Sequence, residues 1–317
     1  MNPRHDIRRH PAHRALTRGL VTFVCAACLN CFDGIPFLDT EDAGNADQSA
    51  AIALLALGGS GVLGSSSGSG SSSSTSSCSS TTAPADPAYL ADTITSAPGA
   101  TGSGFGDSSR ATNGICGQGT ALGSTDVFSL DATGSGATMT LEWAGQKVTN
   151  GTGIDFVVFE NPFYYGGNSS SVFMEAIIVE VSQDNTNWCG FGPDYTNGDE
   201  TTYSTDPSTW SNFAGKTPVL YNRDTNALSA TDIFDSAQAG GDGYDLANLS
   251  DSNAFGTGCN TTLRNDIRDT NGFTYIRLTA ATDRTNADTG AAFVQDSGAF
   301  GGGPDIDGVA ARHLTAR

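Results

Sequence analysis

Alternation of apolar and polar positions is the main signal along the C-terminal two thirds of the chain. Asp126–Leu130, Ala137–Trp143 and Phe273–Thr279 each alternate, which predicts strands with one face buried. Ile154–Phe159 is apolar at every position except Asp155, as expected of a central strand covered on both faces. Val172–Val181 reads as one long strand, and Pro218–Tyr221 and Ile306–Ala310 read as short ones. These runs are rich in Val, Ile, Thr, Phe and Tyr, and Gly, Asn and Asp clusters bound them. Helical periodicity is almost absent, with room for one short turn in Asp242–Leu249. Many short strands joined by long loops predict an all-β fold, a β-sandwich of jelly-roll type over residues 88–317.

The first 87 residues follow no such pattern. Five arginines lie in the first 18 positions, and Gly19–Leu29 is a short apolar run ending in a cysteine-rich stretch. A basic segment followed by about ten apolar residues is the pattern of an export signal. Cys28, preceded by Ala26 and Ala27, is the expected site of lipidation, with Cys31 as the second choice and a signal without lipid as the plainer alternative. Residues 1–31 are thus read as a lipoprotein signal peptide and residues 32–87 as a flexible, disordered tether. Ser65–Thr82 holds only Ser, Gly, Thr and one Cys, which cannot bury a core. Ala50–Leu63 is apolar but too short to span a bilayer, so it is read as a short helix or a collapsed part of the tether.

Charge narrows the partners. The chain carries 34 acidic and 15 basic residues. From Phe32 onward, 33 acidic residues face only 10 basic ones. Such a surface repels phosphate backbones, so nucleic acid is not an expected partner. No histidine stands between Arg14 and Arg312, which excludes a Ser-His-Asp triad, a Cys-His pair and an HExxH zinc site from the body. Of the seven cysteines, Cys78, Cys116, Cys189 and Cys259 lie beyond the leader. If Cys31 is lipidated these four remain and allow three connectivities, whereas lipidation of Cys28 leaves one cysteine over.

The stretch Val179–Trp188 reads as strand, tight Asp184-Asn185 turn, strand, and is similar to a hairpin of discoidin-type, galactose-binding-like jelly rolls. A broader likeness rests on Thr125–Leu130, Gly153–Phe163, Phe173–Glu175 with Val179–Asp184, Phe213–Pro218, Ala239–Leu246, Asn271–Leu278 and Gly303–Val309. In these segments the chain resembles an uncharacterised family of bacterial surface lipoproteins and cell-surface proteins. The resemblance implies a lipid-anchored protein of the cell envelope or outer-membrane surface, with a β-rich outer domain and no established activity. Cys116, Cys189 and Cys259 fall outside the shared pattern.

The chemistry of the body is carried by acids. Glu160-Asn161 closes the central run, Asp242 and Asp245 sit in a Gly-Gly-Asp-Gly-Tyr-Asp loop, and Asp305 and Asp307 sit in Gly-Pro-Asp-Ile-Asp-Gly. Positions i and i+2 of an extended segment face one way, so Asp305 and Asp307 are expected to converge. Carboxylates, an Asn side chain and nearby carbonyls are the donors calcium takes, so these six residues form the expected calcium site. The plainer alternative is that the acids cap turns. Glu160 and Glu175 are also the candidate pair for a polysaccharide hydrolase working through two carboxylates. Tyr164 and Tyr165, with Trp210 in a second polar segment, are candidates for an aromatic platform that stacks on sugar, or else they close the ends of the core. The expectation is a non-catalytic surface module that meets a glycan or a matrix protein, with a hydrolase and a purely structural surface protein as the alternatives.

Overall fold

The computed structural model describes residues 78, 89–99, 105–226, 228–249, 255–296 and 302–317. The expected signal segment, Cys28, Cys31, the apolar segment 50–63 and all of the tether except Cys78 lie outside the described residues. Among the described residues no helix is long and apolar enough to cross a membrane.

The fold is all-β in class, with 30% of it in strand and 18% in helix. The larger sheet is antiparallel and runs, in spatial order, Thr93–Ser96, Thr138–Glu142, Tyr275–Ala280, Ile177–Ser182 and Phe213–Ala214, with Cys189–Gly190 also paired to Ile177–Ser182. A second antiparallel sheet places Phe156–Phe159 between Asp242–Tyr244 and Gly308–Ala311. The two sheets share one core. Met139, Leu141, Val179, Val181, Ile276 and Leu278 of the first meet Phe156, Val158 and Val309 of the second. Phe156 is the hub, stacked on Tyr244 at 5.1 Å and edge-on to Phe273 at 5.4 Å.

The continuous apolar run at Ile154–Phe159 now has its physical reason. Phe156 and Val158 enter the shared core, while Val157 and Phe159 face a second cluster with Ile115, Val219, Tyr221 and Ile233. Both faces of the strand are covered, so alternation has nothing to select for. Ile177–Ser182 is likewise buried throughout. Val179 and Val181 enter the shared core, and Ile178 joins a third cluster around Trp210, Tyr195 and Phe213. Glu180 is only 1% exposed. It meets Arg277, its register partner on the next strand, at 2.8 Å, and Arg284 at 3.4 Å. Arg277 also lies over the Trp188 ring, 4.3 Å from its centroid.

Three expectations change. The long strand predicted over Val172–Val181 is two strands, Val172–Phe173 and Ile177–Ser182, separated by Met174-Glu175-Ala176. Pro218–Tyr221 forms no strand, although the carbonyls of Val219 and Tyr221 accept from the Gly119 and Gly117 N–H groups. A helix over Thr261–Asp266, continuing as a π-helical turn over Ile267–Asn271, stands where no periodicity announced one. Its start is capped by the Asn260 side chain, which accepts from the Leu263 N–H, and Ile267 anchors it in the core. The predicted Asp184-Asn185 turn is present. Asn185 takes φ 58°, and the Asp184 carboxylate accepts from the N–H groups of Thr186 and Asn187. Those bonds to the charged form hold its pKa down at about 2.

Two disulfides are formed, Cys78–Cys116 and Cys189–Cys259. The second ties the edge strand Cys189–Gly190 to the loop that leads into the Asn260-capped helix.

Candidate functional site

One acid from each of the three predicted loops reaches the same end of the shared core. Glu160 follows the strand Phe156–Phe159 directly, and period two carries it to the side of Phe156 and Val158. Glu175 occupies the break ahead of Ile177–Ser182. Asp305 opens a two-residue strand paired to Phe128–Ser129. The Asp305 N–H donates to Glu160 Oε1 at 3.0 Å, and the Ser129 hydroxyl donates to the Asp305 carboxylate. Asp242, half-buried beside them, accepts from the Lys216 N–H at 2.9 Å and from the Thr217 N–H at 3.3 Å and hydroxyl at 2.9 Å.

Gly215 makes this proximity possible. It has φ 83°, and a Cβ there would stand 2.6 Å from the Glu175 carbonyl oxygen and 3.2 Å from Glu160 Oε2. A side chain at this position would be strained and would push into the space between the two glutamates.

Glu160 is 3% exposed and Glu175 is 7% exposed. Glu160 Oε2 and Glu175 Oε1 are buried with no hydrogen-bond partner, and among the described residues no Lys or Arg forms an ion pair with either side chain. Burial pushes the Glu160 carboxyl well above its ordinary pKa. The charges of Asp305 and Asp242 push the same way, against the N–H bonds of Asp305 and Asn161. Glu175 is raised well above its ordinary value too, first by burial and then by Asp305, Glu160 and Asp296. Burial raises Asp305 and Asp242 as well, the latter held back by Lys216. A carboxyl whose pKa is raised by folding holds its proton more tightly in the native state. Its contribution to stability is therefore greatest at low pH and falls as pH rises above its unfolded value near 4.5. In chelator, the domain should lose stability between pH 5 and pH 8, and Glu160→Gln with Glu175→Gln should flatten that slope. Urea midpoints across the range check this; equal slopes in wild type and double variant would count against it.

The other expected ligands are engaged elsewhere. The Asn161 amide acts as a backbone mimic: its oxygen accepts the Ser124 N–H, and its nitrogen donates to the Ser124 carbonyl at 3.1 Å and to Asp305 Oδ2 at 3.2 Å. Asp245 caps the short turn Leu246–Asn248 by accepting from the Ala247 N–H at 2.8 Å. Asp307 does not join Asp305: it stands between two short strands, the first paired to Phe128–Ser129 and the second to Phe156–Phe159. Both Asp307 oxygens instead accept the Cys116 N–H at 3.0 Å, where burial raises the carboxyl well above its usual range. Among the described residues, the only three Cys, His or acid ligand atoms within 4.8 Å of one another belong to Cys78, Cys116 and Asp126, and those two sulfurs are bonded to each other.

Of the three aromatic candidates, Trp210 lies in the interior. Trp210 is 1% exposed and belongs to the third apolar cluster, with its ring 4.0 Å from that of Tyr195 and its Nε1 donating to the Ser204 carbonyl. Its two-residue hairpin with Asp194–Tyr195 turns the indole inward. Tyr164 and Tyr165 are half-buried. The Tyr165 hydroxyl donates to Asp296, and its ring meets Phe163 and Phe173 edge-on. Among the described residues the only exposed large apolar side chain is Leu122.

Gly215 and Asp296 were not singled out by sequence as site residues. Gly215 lay within the segment Phe213–Pro218 that carries the family likeness, whereas nothing around Asp296 signalled its place beside Glu175. Beside Glu175 lies a cavity of about 10 Å³, also lined by Ala281, Thr282, Gln295 and Pro304. That volume holds one water-sized particle. Compared with known proteins, the chain matches no protein-family model, no curated protein and no solved structure.

Proposed function

We propose that this is an exported, lipid-anchored protein of the cell envelope whose jelly-roll-type β-domain is a non-catalytic binding module carried on a Ser/Gly-rich tether. The observation that carries the reading is the enclosure of the acid pair. Glu160 and Glu175 are buried, and the cavity against Glu175 is only about 10 Å³. A glycosidase needs its two carboxyls on either side of a sugar, in a cleft that admits the chain. The two disulfides support an oxidising compartment. The exposed stretch 166–170, flanked by half-buried Tyr164 and Tyr165, is where a glycan or matrix partner would meet the domain.

The test has two arms. The purified chain is expected to release no reducing sugar from a polysaccharide panel; turnover abolished by Glu160→Gln would replace this reading with the hydrolase. In the producing cell, Cys28→Ser should shift the protein from the membrane to the soluble fraction. Unchanged fractionation of both Cys28→Ser and Cys31→Ser would remove the lipid anchor.

A further inference from the structure

The feature that most needs an explanation is the pair of unpartnered glutamate oxygens. A buried polar atom without a partner carries the full cost of desolvation, and a buried charge without a partner carries more. Here two such atoms occur in neighbouring side chains, in a cluster that also contains Asp305 and borders Asp242. Lys216, the cation that acts on Asp242, does not neutralise them. The Lys216 ammonium donates to the Trp210 carbonyl at 2.7 Å, and its charge acts on Asp242.

We propose that Glu160, Glu175 and Asp305 form a site for a divalent metal ion of the calcium type, which ties together the segments that carry them. The ligand chemistry selects the class of ion. Every available donor is oxygen: three carboxylates, the Ser129 hydroxyl that already touches Asp305, and the Glu175 carbonyl facing Gly215. No histidine stands between Arg14 and Arg312, and the four cysteines beyond the leader are consumed in disulfides, so the nitrogen and sulfur donors that zinc prefers are missing. Hard oxygen donors of high charge suit calcium. Glu160 Oε2 is directed to the one place where Gly215 has removed a side chain, and the water-sized cavity lies on the Glu175 side.

The three carboxylates do not all stand within 4.8 Å of one another. The ion would draw them inward. The site differs from the six-residue one expected from sequence: Glu175 enters it, while Asp245 and Asp307 do not belong to it. This inference goes beyond the reading of the protein as a surface module and holds equally for a purely structural surface protein.

Thermal melts of the purified full chain at pH 7.5 in 10 mM calcium chloride and in EGTA provide the test, with calorimetric titration of calcium alongside. For a site of the strength typical of extracellular modules, calcium should raise the melting temperature by about 5 to 10 °C. Glu160→Gln and Glu175→Gln keep the shape of the side chain and remove its charge, so both variants should fold and lose the calcium shift. Asp245→Ala, which removes only a turn cap, should keep it. Identical melts in calcium and EGTA with no heat of binding would overturn the proposal and leave two buried carboxylic acids held neutral. A calcium shift that survives in both glutamine variants would overturn it too, by placing the ion elsewhere.

Discussion

Serine at both Cys189 and Cys259 should cost the domain about 4 kcal/mol, measured as the loss of unfolding free energy in urea under non-reducing conditions. The two cysteines are 70 residues apart in sequence, so the bridge closes a long loop and removes much of the freedom of the unfolded chain. In the native state it joins two segments that already run side by side. The Trp188 and Gly190 N–H groups donate to the carbonyls of Thr257 and Phe255, each at 2.8 Å. The native contacts should therefore survive its removal, and the loss should appear mainly through the unfolded state. Reductant added to the wild type should act more strongly, since it also opens the bridge between Cys78 and Cys116, which spans 38 residues. A loss below about 1 kcal/mol in the double variant would show that the crosslink constrains little.

Phe156→Ala should destabilise by a similar amount, about 3 to 5 kcal/mol. Phe156 is fully buried and touches Tyr244, Phe273 and Phe191, whose ring centroids lie at 5.1, 5.4 and 5.8 Å. Those rings come from three separate stretches of chain, each held by its own strand or loop, so the space left by the phenyl group cannot collapse easily. The urea midpoint should fall with an unchanged slope. Leu122→Ala, at the one exposed large apolar side chain among the described residues, should stay within about 0.5 kcal/mol of wild type. A Phe156→Ala midpoint as high as that of Leu122→Ala would mean that the shared core repacks around the gap.

Much of the fold was legible where apolar periodicity was the only force at work. The run ending at Phe159 announced a strand covered on both faces, and both faces are covered. Thr138–Glu142 falls within the alternating stretch that predicted it, and Tyr275–Ala280 overlaps its own but for Ala280. Reading failed where side chains on one strand serve different neighbours. Val172–Val181 looked continuous because Met174 and Ala176 are apolar, yet the chain breaks there and delivers Glu175 to the acid cluster. The helix over Thr261–Asp266 escaped notice because only Leu263 and Ile267 mark its inner face, and its start depends on a single Asn260 cap. At the site, sequence grouped Glu160 and Asp305 with four other residues and expected Asp305 and Asp307 to converge. Asp305 and Asp307 share a two-residue spacing, yet the chain changes strand partner between them and they meet different groups. Trp210 was misplaced for a related reason: a ring in a polar stretch of sequence looks exposed until a neighbouring segment folds over it.

The bridge at Cys78 has a mechanical consequence. Tension arriving along the chain from its N-terminal side is transferred across the disulfide to Cys116. There the Cys116 N–H is gripped by both Asp307 oxygens, and the Asp307 N–H donates in turn to the carbonyl of Phe159 at 3.0 Å. A pull thus enters at the middle strand of the smaller sheet and bypasses the edge strand Thr93–Ser96. Peeling an edge breaks hydrogen bonds one after another, whereas loading a central strand makes many resist at once. A load from that side is therefore borne by the core of the domain.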